Sequence, residues 1–429
     1  MSATRYTGAR WGSIRLWLAF ALLMLGMPVI FDSGLSVTLL SQTGIAIIAC
    51  LSYNLLLGQG GMLSFGHAVY TGLGAFVAIH ALNAWCAASP ALPVSLVPLV
   101  GGLAGMGFAV LFGYVTTRKS GTTFAMITLG LAELVFAMSL MVPEFFGGEG
   151  GISGNRVVGA PLLGITYGPP VQVYYLIALY TLVCMVLMYA FTQTPLGRLL
   201  NAVRDNPERV EFVGYNPHRI RYTAFIIAGF FAGISGGLGA LNFEIVNAEV
   251  VGAARSGAYL LFTFLGGATF FFGPILGAVL MVLAFVVLSA MSKAWLLYLG
   301  AVFMLMVMYA PGGLAGLIMA NLRVARHGKL RTLLPAYGLL AVSGAVCALG
   351  FSAAVEMVYH HRLDAAMGPT LRFLGLGLDT SSVAHWSSLL VYLAIGALCF
   401  ERSRRSFVLQ WNAVHQSMED ERLRADPAP

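Results

Sequence analysis

"GQGGMLSFGHAVYTGLGAF", residues 58–76, carries six glycines, one histidine and no charge. Glycine weakens a helix and a buried imidazole needs a hydrogen-bond partner, so in a soluble protein this would read as a loop. Its surroundings exclude that reading. From Ser33 to Thr117 there is no Asp, Glu, Lys or Arg. Over the 429 residues, 59% are hydrophobic and only 10% charged, against roughly a quarter charged in ordinary soluble domains. The chain is an all-α polytopic membrane protein, and the "GQGG" that opens this stretch, 58–61, is a break or bend inside its membrane-embedded part.

Working outward, apolar runs predict spans near 16–31, 36–57, 62–82, 92–116, 122–142, 172–192, 222–243, 256–272, 274–291, 294–310, 332–352 and 383–400. That is about 10 transmembrane helices in residues 1–322 and about 2 in a C-terminal extension, 323–429, which ends in a charged tail. The long run 256–291 is split by "GGATFFFGP" at 266–274, since glycines and a proline interrupt a helix. The basic clusters are the N-terminal arm, Arg118-Lys119, Arg198–Arg221, Arg323–Arg331 and Arg402–Arg405. With twelve spans all of them fall on one side, which the positive-inside rule makes the cytoplasm. Both termini are then cytoplasmic, and 143–171 and 353–382 are outside. The net charge of +7 is topological and is not a nucleic-acid signal. The N-terminal apolar run lacks a small-x-small cleavage site before the next span and reads as an uncleaved first helix.

Small residues recur every fourth position at Gly101, Gly105, Ala109 and Gly113, at Gly229, Gly233 and Gly237, and at Gly273 and Gly277. Between lipid-embedded helices this spacing permits close backbone approach. "GGMLSFG" (60–66) and "GGATFFFG" (266–273) are a faint internal echo, as a parallel repeat would leave.

Polar groups inside apolar runs are the candidates for a translocation pathway. They are Asn54, Gln59, the flanking Gly60 and Gly61, His67, and Glu133 within "TLGLAELVF". A second candidate region is "PLGRLLNAVRDNPERVEFVGYNPHRIR", 195–221, on the basic side. Asn206 suits a helix N-cap, Pro207 the first turn, and Glu208 and Glu211 the positive end of a short helix that Gly214 or Asn216 would end. There is no GxxxxGK[ST]; Gly328-Lys329 is followed by Leu330. The chain therefore carries no P-loop of its own. The five cysteines form no metal-ligand spacing, and "YHHRLD" (359–364) offers too few ligands for a metal. Two functions fit: a permease driven by separate ATPases, or a self-contained proton-coupled carrier using Glu133 and His67. No nucleophile–base pair suggests an enzyme.

A set of motifs narrows this. "NLLLGQGGMLSFGHAVYTGLGAF" (54–76), "FGGEGGISG" (146–154), "AVRDNPERVEFVGYNP" (202–217), "FFAGISGGLGAL" (230–241), "FLGGATFFFGPILGA" (264–278) and "PGGLAGLI" (311–318) resemble, in order and spacing over about residues 16–321, the LivM-type membrane subunits of the branched-chain amino-acid permease family of ABC importers. The resemblance implies a bacterial inner-membrane permease for branched-chain amino acids or related small polar solutes. It implies a second permease subunit (a heterodimer), two cytoplasmic ABC ATPases that use the ATP, and an extracytoplasmic solute-binding protein; the chain itself would need no cofactor. It makes Arg204, Asp205, Asn206, Glu208, Glu211 and Gly214 an ATPase coupling loop. Glu208 and Gly214 keep the family's six-residue spacing, while Arg209 and Val210 stand where the family has small residues. Nothing after Leu322 shares the resemblance.

Overall fold

A computed structural model describes residues 4–85, 93–157, 165–363, 369–373 and 376–425. The helices, in chain order, are α1 Thr4–Ile30, α2 Gly34–Asn54, α3 His67–Trp85, α4 Val97–Thr116, α5 Gly121–Met141, α6 Pro170–Gln193, α7 Pro195–Asp205, α8 Pro207–Phe212 and α9 Pro217–Phe243. They continue as α10 Ala253–Gly266, α11 Gly273–Val282, α12 Trp295–Tyr309, α13 Gly313–Arg326, α14 Leu330–Leu363 and α15 Val383–Ala425. Two antiparallel strand pairs complete the structure. Ile152–Ser153 pairs with Ile245–Val246, and Thr370–Phe373 with Leu376–Asp379.

The architecture is an all-α polytopic membrane protein. Eight helices among the described residues are long and apolar enough to cross a membrane, or nine if α12 and α13, bent by 46°, form one span. The twelve spans read from apolar runs are therefore not matched by twelve full-length helices. α10 has 14 residues and α12 has 15, short of the ~20 needed to span. The expected helix 62–82 begins only at His67. The connector after 310 is helical from Gly313 to Arg326. The expected outer loop 353–382 is helical up to Leu363, and the expected charged tail is helix to Ala425. Apolar runs report where lipid can be tolerated. A helix stops where backbone hydrogen bonds stop, and charged residues extend a helix as readily as apolar ones.

The chain forms two compact units. The first comprises 1–285 with 305–316. Its centre is α9, packed on α2, α3 and α4. The approach is closest where glycine faces glycine. A Cβ at Gly74 would lie 2.6 Å from Gly233 Cα, and one at Gly105 would lie 2.8 Å from the same atom. A Cβ at Gly237 would meet Pro98 Cα at 2.8 Å. Each glycine costs about 1 kcal/mol of helix propensity relative to alanine. Backbone-to-backbone packing offsets that cost where no hydrophobic drive exists. Beside this seam Phe76, Ile79, Leu82, Val135, Phe146 and Leu241 build an apolar cluster. Helix α6 joins α1 through Tyr174 Oη, which donates to Met24 O at 2.6 Å.

The second unit comprises 286–304 and 317–429. There α14 and α15 run antiparallel: Tyr337 meets Phe407 with ring centroids 4.7 Å apart, and Cys347 lies beside Gly396. α14 has 34 residues, which is about 51 Å at ~1.5 Å per residue and exceeds a ~30 Å hydrocarbon core. Glu356 on α14 accepts hydrogen bonds from Ser292 Oγ and, at 3.1 Å, from Tyr298 Oη. The carboxyl is thereby given partners within its own unit.

Candidate translocation site and coupling loop

α2 does not end cleanly. It widens into a π-helical turn, Leu55–Gln59, and the chain then runs without helix until His67. The glycines make this possible. Gly61 adopts φ +63°, a conformation other residues reach only with strain. Much of the stretch is buried, so its enclosed backbone groups need partners. Side chains from other helices supply them. Phe65 N–H donates to Thr128 Oγ1 (3.1 Å), and Ala68 N–H donates to Ser256 Oγ (2.9 Å). Tyr53 Oη donates to Ser64 O (3.0 Å). The break is thus fixed by α2, α5 and α10 together.

His67 is fully buried at the first position of α3. Its Nε2 lies 2.8 Å from Ser52 Oγ, whose own proton goes to Ala49 O (2.8 Å). Nε2 must then carry the hydrogen, and Nδ1, which has no protein partner, presents a lone pair. The ring is held edge-on against Tyr53 (5.2 Å, 89°) and Tyr259 (6.5 Å, 87°). Asn54 is buried as well, its Oδ1 also without a protein partner and packed against Gly58. Gln59 is half-buried, Gly60 buried and Gly61 exposed. Glu133 is elsewhere: it faces outward on α5, with exposed Leu129, Leu134 and Met138. The candidates from Asn54 to His67 therefore lie along one broken segment, with Asn54 and His67 buried, and Glu133 does not join them.

The basic-side loop is two short helices sharing one cap residue. Asn206 closes α7 through its N–H to Ala202 O, and its Oδ1 accepts from Arg209 N–H at 2.9 Å to open α8. Gly214 at φ +94° then turns the chain, and Asn216 caps α9 in the same way (3.2 Å). Glu208 and Glu211 are exposed, Phe212 is 90% exposed, and Val213 is 70% exposed. α7 itself is anchored by buried Leu200 and Val203.

Arg204, from the last turn of α7, reaches the break. Its Nη1 donates to Gly58 O, and its Nη2 lies 3.0 Å from Asp205 Oδ1. The second glycine-rich break, 267–272, meets the first where Gly58 abuts Ala268 O. A third glycine-rich turn joins them: a Cβ at Gly313 would lie 2.6 Å from Gly267 Cα. The sequence marks these three motifs separately, but it gives no sign of the roles of Ser52, Tyr53, Tyr259, Thr128 and Ser256. Isolated Ser, Thr and Tyr in apolar spans carry no pattern that points to a distant backbone group. Among the described residues no three His, Cys, Asp or Glu side chains group as metal ligands would.

The family model described as "Branched-chain amino acid transport system / permease component" matches residues 35–311. The chain is 28% identical over 328 residues to the high-affinity branched-chain amino acid transport system permease protein LivM of Salmonella typhimurium, covering 72% of this chain and 76% of that protein. It is 27% identical over 333 residues to the protein of the same description from Escherichia coli, with the same coverage. No solved structure gives a significant match.

Proposed function

The chain belongs to the family of permease components of branched-chain amino acid transport systems, and from that premise we propose that it is a membrane subunit of an ABC importer for branched-chain amino acids or related small polar solutes. It works in the bacterial inner membrane beside a second permease subunit, draws energy from two cytoplasmic ABC ATPases, and receives solute from an extracytoplasmic binding protein. The break at Asn54, Gln59, Gly60, Gly61 and His67 borders the translocation pathway. The coupling loop, Arg204 to Gly214, docks on an ATPase through α8 and its exposed tip at Phe212, with both termini on that side. Residues 1–322 are the working core and 323–429 an accessory extension.

The observation that carries this reading is the loop 203–216. A doubly capped helix with Phe212 90% exposed is an apolar tip on a polar connector, and such a tip is a contact awaiting a partner. The decisive experiment uses the full chain purified from its native membrane. An ATP-hydrolysing subunit should co-purify, and uptake into vesicles with binding protein should require ATP. Uptake by the purified chain alone under a pH gradient would instead make it a self-contained carrier and overturn the reading.

A further inference from the structure

The break and the loop lie 146 residues apart, yet they touch through one side chain. We propose that Arg204 is a positioning residue that carries movement of the 203–216 loop to the broken helix at Leu55–Gly61. The proposal rests on the loop's docking role and goes beyond it by naming the mechanical link.

The geometry is that of a strut. Along α7, Leu200 packs on Gly60: a Cβ at 60 would lie 3.2 Å from Leu200 Cδ1. One turn later the stem of Arg204 covers Gly61, where a Cβ would lie 2.7 Å from Arg204 Cγ. The guanidinium then bonds Gly58 O, inside the π-helical turn. A π-helical turn is rare and commonly marks functional positions. On its far side Gly58 abuts Ala268 O of the second break. Gly58 is thus clasped between α7 and a backbone that leads on to α11. On the other end, Arg204 is separated from the docking helix α8 only by Asp205 and the shared cap Asn206. A displacement of α8 must turn about Asn206 or move Arg204.

Arginine suits this place in a way lysine does not. Its planar fork serves two acceptors at once: Nη1 takes Gly58 O, while Nε and Nη2 take Asp205 Oδ1 at 3.0 Å each. A lysine ammonium reaches one of the two and retains the apolar stem over Gly61. Asp205 is 69% exposed at its side chain, so its value is orientation of the guanidinium rather than ion-pair energy.

The test compares wild type, Arg204→Ala, Arg204→Lys and Phe212→Ala, each in the full chain assembled with its ATPases and binding protein in vesicles. Three quantities are read: ATPase co-purification, solute transported per ATP hydrolysed, and thiol labelling at position 59. Labelling uses an added Gln59→Cys substitution, with and without ATP plus vanadate, and the same chain without that substitution is the background. Arg204→Ala should keep ATPase association and hydrolysis. Its transport per ATP should fall at least about fivefold, the lower end of coupling between distinct sites, and labelling at 59 should cease to respond to nucleotide. Arg204→Lys should fall between wild type and alanine; if the alanine variant does not assemble, a blunted labelling response in the lysine variant is the supporting result. An unchanged ratio and unchanged labelling response in assembled Arg204 variants sinks the proposal. So does loss of ATPase association on Arg204→Ala, which would make Arg204 a docking residue. Phe212→Ala separates the two readings. If it leaves ATPase association intact, the docking role fails whatever Arg204 does.

Discussion

At the scale of single residues, His67 and Gly233 show two kinds of constraint. His67 is fully buried, bonded to Ser52 and ringed by tyrosines. His67→Leu removes one buried hydrogen bond and should destabilise the detergent-solubilised protein by about 0.5–1.5 kcal/mol, read as a lowered melting temperature. Unchanged melting with lost transport would shift His67 from packing to the pathway itself. Gly233 has backbone against its Cα from both α3 and α4. Gly233→Ala should cost at least the ~1–3 kcal/mol of core overpacking and sharply lower the yield of monodisperse protein. Gly107 faces outward, and a Cβ there would have nothing within 4 Å, so Gly107→Ala should be silent in the same size-exclusion assay. Equal behaviour of the two substitutions would remove the seam as the organising contact. The small-residue spacing was legible in the sequence. The partner of each glycine was not, because spacing marks a face without naming what lies opposite.

At the scale of elements, capping was readable and contact was not. Asn206, Pro207 and Gly214 predict the short helix and its end, and α8 runs from Pro207 to Phe212. Local backbone chemistry decides such a helix, and local chemistry is what a sequence states. When Glu208 and Glu211 are both reversed to lysine, the change at Glu208 opposes the positive end of α8 by about 0.3–1 kcal/mol, too little to unfold the bundle, while Glu211 lies in the last turn rather than at the positive end the sequence suggested. Against a partner, a buried unpaired charge costs on the order of 2–5 kcal/mol. The double mutant should insert normally and lose solute-stimulated ATP hydrolysis; equal stimulation in mutant and wild type would clear both carboxylates of any part in coupling. The loop after α5 offers a second test. The largely buried Arg156 donates to the carbonyls of Tyr167 (2.8 Å), Gly168 (3.3 Å), Leu241 (3.3 Å) and Asn242 (3.2 Å), with Glu244 at 3.8 Å. It ties this loop to the end of α9. Arg156→Ala leaves four carbonyls short of a donor and should speed proteolytic nicking between 152 and 169, while nicking near Asn216 stays at the wild-type rate.

At the scale of the whole molecule, the two units make different demands. Truncation after Leu322 leaves the glycine seam of the first unit whole. It also deletes Glu356, the acceptor for Ser292 and Tyr298, and with it the packing around 286–304 that belongs to the second unit. The shortened chain should therefore insert but melt at a lower temperature, and protease should reach 286–304 first. A truncated protein as stable as the full chain would show that the extension supports nothing in the core. Orientation is tested on the same scale: a cysteine introduced near Gly154 should react with an impermeant reagent from outside, and one near Asn216 should not.

The sequence by itself determined the class of fold, the presence of breaks at "GQGG" and "GGATFFFGP", and the capped loop. A long uncharged apolar stretch can be stable only in lipid, closely clustered glycines interrupt a helix, and caps are satisfied by neighbours in the chain. Family membership was legible for the same reason, since its motifs are contiguous. Only the tertiary structure decided which helices are long enough to span, that Glu133 faces outward while His67 is enclosed, and that Arg204 reaches Gly58. Each of those depends on which backbone carbonyl or helix face is opposite. Opposition between residues 146 positions apart is created by packing, after the local rules have all been obeyed.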